Sequence, residues 1–365
     1  MKNELLVVGA GPTGLTAAVE LARRGLIPRV IDKKPAASTL SRAVGINART
    51  LSLLSECGVS GDLIKQGIKV REARFHIHEK PAFKIRLDDT PGPFDFLLAL
   101  PQDNTERVLT KKFESLGGRI EFGTKLSSLT PNENGVVAEI THLAEGQSSK
   151  ANYACVLGAD GIKSRVREAA GISYTGIELE DRWSIVDFDS ESWPFKQTLC
   201  LFVYEHGRVC LIVPIGKNRY RGVTDRPDAS KRMPVGLQID RVRREGDFLI
   251  WVKQAASYQA GRVFIAGDAA HSHSPVGGRG MNLGIADAVS FAGLFVKDRL
   301  DEYSDQRREN GREVIRMTEL ARKFMTRDWP FKSTVFKSLI PLLLRISPLH
   351  REFVKTALDY PGPGA

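Results

Sequence analysis

The sequence predicts an α/β protein: a doubly wound parallel-sheet domain, an antiparallel sheet set into it, and a helical carboxyl end. Three observations predict it. The first 32 residues read strand, Gly9-Ala10-Gly11-Pro12-Thr13-Gly14, helix, strand, acid. The section from Arg182 to Thr224 changes to short β-type runs. Arg262 to Asp287 then returns to strand, glycine-rich polar loop and apolar helix.

Taken in order, Glu4 to Val8 is a short apolar strand. The glycine turn follows, then a helix through Arg24, and a second strand from Pro28 to Asp32. This is a dinucleotide fingerprint in its proper context. Gly9 permits the tight turn, Gly11 lets backbone N–H groups reach a pyrophosphate, and Gly14 lets helix pack on strand. Pro12 and Thr13 open that helix. Asp32, with Lys33 after it, ends the second strand ~20 residues on, where a carboxylate can accept ribose hydroxyls. The unit by itself does not separate FAD from NAD.

Ser41 to Thr50 leads into a helix ended by Gly58. Arg42 in it offers a planar cation suited to phosphate. Val70 to His78 alternates as a strand, which would put His76 and His78 on one face. No further ligands converge on that pair by spacing, so no metal is expected. Leu97 to Pro101 ends another strand, and Gln102 and Asp103 precede a helix from Glu106 to Leu116. Arg119–Phe122 and Val136–Thr141 are further strands. Tyr153 to Ala159 is an apolar strand running into Asp160-Gly161-Ile162-Lys163-Ser164-Arg165-Val166-Arg167, an acid at a strand end with arginines inside a helix. By itself that motif could be a helix cap with surface charges. The β-type runs Ser184–Phe188, Thr198–Tyr204, Val209–Pro214 and Tyr220–Val223 suggest a separate antiparallel sheet. Val242 to Tyr258 is expected to return to the nucleotide domain.

The stretch that organises the chain comes last: a buried strand, Val263 to Ala266, a polar loop from Asp268 to Gly278, and a helix opening near Met281 and Asn282. Such an arrangement holds a polyhydroxylated, partly anionic ligand. A charged helix from about Tyr303 to Thr326 follows, then a break at Trp329-Pro330-Phe331, a helix from Ser333 to Ile346, and an extended tail from Asp359 to Ala365. Basic residues flank Leu339–Leu344, a run too short to span a bilayer. Its two readings are packing on the body of the protein and a peripheral membrane contact. The expected division is a discontinuous nucleotide domain (1–70, 100–170, 240–300), a substrate-binding sheet (71–99, 171–239) and a helical end (301–365).

The chain has 365 residues and a net charge of +10. No arginine-rich arm, zinc-finger spacing or aromatic–basic motif accompanies the charge, so anionic cofactors explain it better than nucleic acid. Four cysteines lie far apart, as reduced thiols of a cytoplasmic protein would.

GAGPTG, GADGIKSRVR and AGDAAHSHSPVGGRGMNLGIADA, in that order, resemble the single-component FAD-dependent aromatic hydroxylases, the family of para-hydroxybenzoate hydroxylase. The resemblance covers residues 1 to about 170 and 240 to 300 well. It implies a Rossmann-like FAD-binding domain with an inserted antiparallel β-sheet substrate domain, non-covalent FAD, and NADPH or NADH as transient reductant. It implies that Gly9, Gly11 and Gly14 meet the pyrophosphate and Asp32 the adenosine ribose, with Arg42 and Gln102 also contacting FAD. Asp160 and Arg167 would serve both nucleotides, and Asp268 the ribityl chain. Pro275 would lie at the reactive edge of the flavin. Gly278, Gly280, Met281 and Asn282 would surround its pyrimidine edge.

The reaction implied is hydroxylation of an aromatic or phenolic molecule by dioxygen through a flavin C4a-hydroperoxide. Pro275, Arg279 and His271 are the candidates near the flavin, and no general base can be named. Arg279 stands where the family commonly has Gln or Leu, which puts a cation near flavin or substrate. Two rivals share the fold: a flavin-dependent reductase or dehydrogenase, for example one acting on an isoprenoid, and a non-catalytic flavin-binding partner. The expected state is a monomer or dimer, with small molecule, O2 and NAD(P)H as partners.

Overall fold

The structure is a computed structural model that describes residues 5–37, 43–88, 92–133, 135–327, 329 and 331–359. Arg42, Pro330 and the tail from 360 to 365 lie outside the described residues. Among the described residues, a six-stranded sheet runs in the order Gln259–Ala260, Val263–Ile265, Cys155–Gly158, Leu5–Val8, Arg29–Asp32, Ile120–Phe122. It is parallel except for the hairpin at its 259 edge. Its strands are continuous apolar runs because both faces are covered. The helix Pro12–Ala22 packs against Gly280–Val296 on one side and Gln102–Ser115 on the other.

An eight-stranded sheet forms the second layer. It carries the four middle strands, at Tyr174–Asp189, Thr198–Val203, Val209–Gly216 and Arg219–Thr224. It also takes Glu72–Ile77 and Lys80–Arg86 at one edge and His271–Ser272 at the other. One expectation is overturned here. Arg241–Ala255, expected to return to the nucleotide domain, pairs with Tyr174–Asp189 along nearly its whole length. Its burial pattern shows why it was misread: long exposed stretches alternate weakly, as in a strand with one solvated face. A three-stranded meander from Thr124 to Tyr153 was only partly foreseen.

The strand expected to run to His78 ends one residue early. The strand stops at Ile77, and His78 turns out of it with φ of 55°. His76 is buried and stacks on Phe202 at 4.4 Å, an aromatic sheet face and not half of a ligand pair. The helix at Gln102 starts earlier than expected, so Gln102 and Asp103 sit in its first turn. The expected Ser333–Ile346 helix is present as one continuous run from Lys332 to Leu343 with a π-helical middle, Val335–Leu339, and a separate helix, Ser347–Leu358, follows with Pro348 in its first turn.

The four cysteines are buried and unpaired. Burial pushes Cys57 up to about 11 and Cys155 and Cys200 to about 12. They should therefore resist alkylation at pH 8 until the protein is denatured. Thiol titration with and without denaturant checks this, and fast native labelling would refute it.

Candidate functional site

The glycine turn is built by collision. Gly9 has φ of 108°, and a Cβ there would lie 2.6 Å from the Ala159 carbonyl carbon. At Gly14 a Cβ would stand 3.0 Å from the Gly9 carbonyl carbon and nearer still to its oxygen. Gly11 is different: a Cβ would meet nothing within 4 Å. Two glycines are thus required by the protein's own packing, and the third borders open space at a helix amino end. That end has Pro12 at its start, no side-chain cap and no acid in its first turn. Anions are favoured at such an end. Thr13 packs closely on the turn at Gly267: a Cβ added there would lie 2.6 Å from its hydroxyl.

Asp32 is held from behind. Its Oδ2 accepts from the Ala10 amide at 2.7 Å and its Oδ1 from the Lys34 amide at 2.8 Å. A carboxylate has about four lone-pair sites, so acceptor capacity remains for ribose hydroxyls. Lys33 is exposed beside it. Gln102 ties this region to the neighbouring loop: its Oε1 accepts from the Ala43 amide at 3.4 Å, and its Nε2 donates to Glu106 at 2.8 Å.

Asp160 and Arg167 do not pair with each other. Asp160 accepts from the Ser164 hydroxyl at 2.5 Å and from the Arg165 and Val166 amides at 2.7 and 3.2 Å. Burial pushes its carboxyl up, more than these donors pull it down. Arg167 donates to the carbonyls of Ala269 at 2.9 Å and Ile162 at 3.0 Å, and covers the Tyr174 ring at 4.0 Å. The motif fastens its own loop to the loop that carries Asp268.

In the late stretch, Gly267–Ala269 forms a single 3-10 turn and the helix spans Gly280–Val296. Asp268 and Pro275 are exposed. The helix has no side-chain cap and no acid in its first turn. The Leu283 amide reaches the Arg279 carbonyl at 2.9 Å, which leaves the Gly280, Met281 and Asn282 amides without intrahelical acceptors. Asn282 fixes the surroundings of this end. Its Nδ2 donates to the carbonyls of Gly45 and Gly278 at 2.9 and 2.8 Å, and its Oδ1 accepts from the Asn47 amide at 3.1 Å.

Two of the three candidates beside the flavin are corrected. His271 is fully buried; its Nε2 meets Asp287 at 2.6 Å, and Asp287 also takes Arg307 at 2.7 Å and the Gly267 amide at 3.0 Å. The Nε2 of His271 is thus committed to a buried carboxylate that already serves two other donors. Arg279 is not an open cation. Its Nη1 meets Asp359 at 2.6 Å, and its Nη2 donates to the Thr356 carbonyl at the end of the terminal helix. The cation expected near flavin or substrate is therefore already neutralised by a carboxylate of the protein itself. Asp359→Ala should leave this largely buried guanidinium unpaired and cost roughly 1–3 kcal/mol. Thermal unfolding reads the loss, and an unchanged midpoint would count against the pair.

His273 donates from Nδ1 to the Ser274 carbonyl at 2.8 Å, while its Nε2 is buried without a partner. Burial lowers it to about 4. In Asp287, burial pushes up, but Arg307 and His271 overcome this and hold the carboxyl below its usual range. Both shifts have the same consequence. Their stabilisation is present above the unfolded values, about 6.5 and 3.9, and is lost as pH falls through the folded ones. Stability should drop by on the order of 2 kcal/mol between about pH 6.5 and 4. Denaturant midpoints across that range test this, and a flat profile would contradict it.

Some site residues were not anticipated from sequence. Arg221 is 1% exposed in the middle of a strand and makes a two-pronged contact with Asp187 at 2.7 and 2.8 Å. It also donates to the Ala43 carbonyl at 3.4 Å. With Pro101, Asp103 and Asn104 the pair lines a cleft of about 250 Å³. A charge inside an apolar-alternating strand was the available signal. Asn47 caps the helix Ala48–Ser55 through the Thr50 amide at 2.9 Å and reaches Asp359 at 3.4 Å. Beside these groups lies an apolar cluster containing Ala48, Ala99, Val213, Val354 and Leu358, with Phe75, Leu199 and Leu211 against it.

A parallel sheet with a glycine turn, an acid at the end of its second strand and two uncapped helix ends, joined to a broad, mostly antiparallel sheet, defines a dinucleotide-binding protein. Comparison with known proteins agrees. A family model described as FAD binding domain matches residues 2–318. The chain is 31% identical over 353 residues to pentachlorophenol 4-monooxygenase of Sphingobium chlorophenolicum, covering 86% of this chain and 63% of that one. It is 31% identical over 347 residues to 6-methylpretetramide 4-monooxygenase of Streptomyces rimosus, covering 87% and 61%. It therefore spans under two thirds of the length of these two relatives. In fold it matches p-nitrophenol 4-monooxygenase of Pseudomonas putida, with a TM-score of 0.88 over 98% of both chains at 22% identity. The chain belongs to the FAD-binding-domain family, which includes flavin-dependent aromatic monooxygenases.

Proposed function

We propose that the protein is an FAD-dependent, NAD(P)H-consuming monooxygenase that hydroxylates an aromatic, phenolic or similarly electron-rich small molecule. The observation that carries this reading is the uncapped helix end at Gly280–Asn282, on a helix that packs against the one opened by the Gly11 turn. The two ends are linked through the packing of Thr13 against Gly267.

The residues present fit FAD. Gly11 leaves the room that the pyrophosphate needs, Asp32 keeps lone pairs for the ribose, and Asp268 is exposed for the ribityl hydroxyls. The amides of Gly280, Met281 and Asn282 would donate to the pyrimidine edge of the ring, where reduction places negative charge. When bound, FAD supplies hydride acceptance and dioxygen activation. The protein's own part is to orient the substrate and exclude water. The partly buried Leu199 and Leu211 on the broad sheet are the side chains we assign to the aromatic body. The relatives act, by name, on pentachlorophenol and 6-methylpretetramide, which favours a phenolic substrate here.

The test is turnover with a panel of phenols and polycyclic aromatics under isotopic dioxygen. One labelled oxygen should enter the product, and a true substrate should speed NAD(P)H oxidation well above the rate of the enzyme alone. An unlabelled product, or reduction of an alkene without oxygen uptake, would replace this reading with a reductase.

A further inference from the structure

Among the described residues, sixteen large apolar side chains are exposed, and nine of them fall between Leu320 and Phe353. Six lie close together: Leu339, Leu342, Leu343, Ile346, Leu349 and Phe353, each between 41% and 58% exposed. This stretch is not loose chain. Phe336 is 3% exposed, Val354 0% and Leu358 1%, so its inner side is packed into the protein. The segment is thus apolar on both sides, and only one side is covered. A soluble surface rarely keeps such a cluster without a use for it.

Its charges are of one sign. Lys337, Arg345 and Arg351 are exposed, and among the described residues none has a carboxylate within ion-pair distance. Glu352 is the one acid between Trp329 and Leu358 in the sequence, and it is taken by Lys355 at 2.7 Å. No helix is long and apolar enough to cross a membrane among the described residues. Exposed Leu, Ile and Phe rimmed by unpaired Lys and Arg is the composition of a segment that lies in a lipid interface. Each cation near an anionic surface adds attraction of its own. A second copy fits worse, because a two-fold contact through this face would set the same basic rims against each other.

We infer that residues 331–355 form a docking surface for an anionic membrane, with the apolar side chains entering the acyl boundary and Lys337, Arg345 and Arg351 meeting the headgroups. The surface is independent of the oxygenase reading.

The test is co-sedimentation of the full chain, loaded with FAD, with phosphatidylcholine vesicles with and without phosphatidylglycerol. Binding should require phosphatidylglycerol and weaken as salt rises. Leu342→Glu with Leu343→Glu should reduce it by more than about tenfold, since both side chains would have left water on docking. Arg345→Glu with Arg351→Glu should remove the preference for the anionic lipid. All four positions are exposed, so flavin absorbance and thermal midpoint should stay unchanged and report the fold. Failure to bind either vesicle, or equal binding by the leucine variant, overturns the proposal. So does a dimeric mass in solution that becomes monomeric in the leucine variant, which would give this face to a second copy.

Discussion

Gly14→Val yields a protein without bound flavin, and most of it fails to fold. The new side chain starts with a Cβ inside the Gly9 carbonyl and 3.3 Å from the Ala159 Cβ. All the atoms it meets belong to the sheet and its turn, so no flexible side chain can move aside. Overpacking against movable neighbours costs about 1–3 kcal/mol. A collision with fixed backbone exceeds that and belongs with the largest single-residue losses, above about 4 kcal/mol. Gly11→Val separates the fold from the cofactor. Its Cβ meets nothing within 4 Å, so the protein should fold with nearly the parent thermal midpoint, yet retain FAD at least about tenfold less well. Flavin absorbance per protein after gel filtration, beside thermal unfolding, reads both. Full flavin retention in folded Gly11→Val would remove the pyrophosphate from this turn.

Asp287→Ala has the second largest expected effect. It strands Arg307, 8% exposed in its side chain, and His271, fully buried, without their shared acceptor. Removing one partner of a buried pair costs about 3–5 kcal/mol, mostly as the penalty of the charge left behind. A fall in Tm on the order of 10 °C follows for a chain of this size. The same substitution frees the Gly267 amide, which sits at φ of 61° where the strand turns into the Asp268 loop. FAD retention should therefore weaken along with stability. Asp287→Ala with Arg307→Leu should recover much of the stability by removing the stranded charge. A midpoint unchanged in the single variant would show that the network carries little.

What the sequence revealed follows from the range of its signals. The glycine turn, the acid at Asp32 and the late strand-loop-helix are local, and their spacing foretold a parallel sheet, though not its six strands. The β-type runs of the middle section foretold an antiparallel sheet for a similar reason: period-2 alternation survives in a single strand. Arg241–Ala255 differs from the expectation because its partner, Tyr174–Asp189, is more than fifty residues away, and few of the strand's own side chains are buried. Arg279 illustrates the limit most clearly. Its position beside the flavin loop was legible, but its charge state as a neighbour was not. That depended on Asp359, eighty residues on and beyond a helix the pattern did not reveal. His271 and Arg307 were hidden in the same way, each meaningful only through Asp287.

The bond from Arg279 to Asp359 has one further consequence. The last described turn of the chain is moored to the loop that opens the flavin helix, and to Asn47 beside it. Disturbing the end of the helix Ser347–Leu358 therefore disturbs the start of the helix Gly280–Val296. A purification tag, a fluorophore or a protease acting just after Leu358 pulls on the same mooring that holds Gly278 to Gly280 in place. For anyone altering this protein, the segment just after Leu358 is the wrong place for an inert insertion and the right place for a reporter of the flavin-helix end.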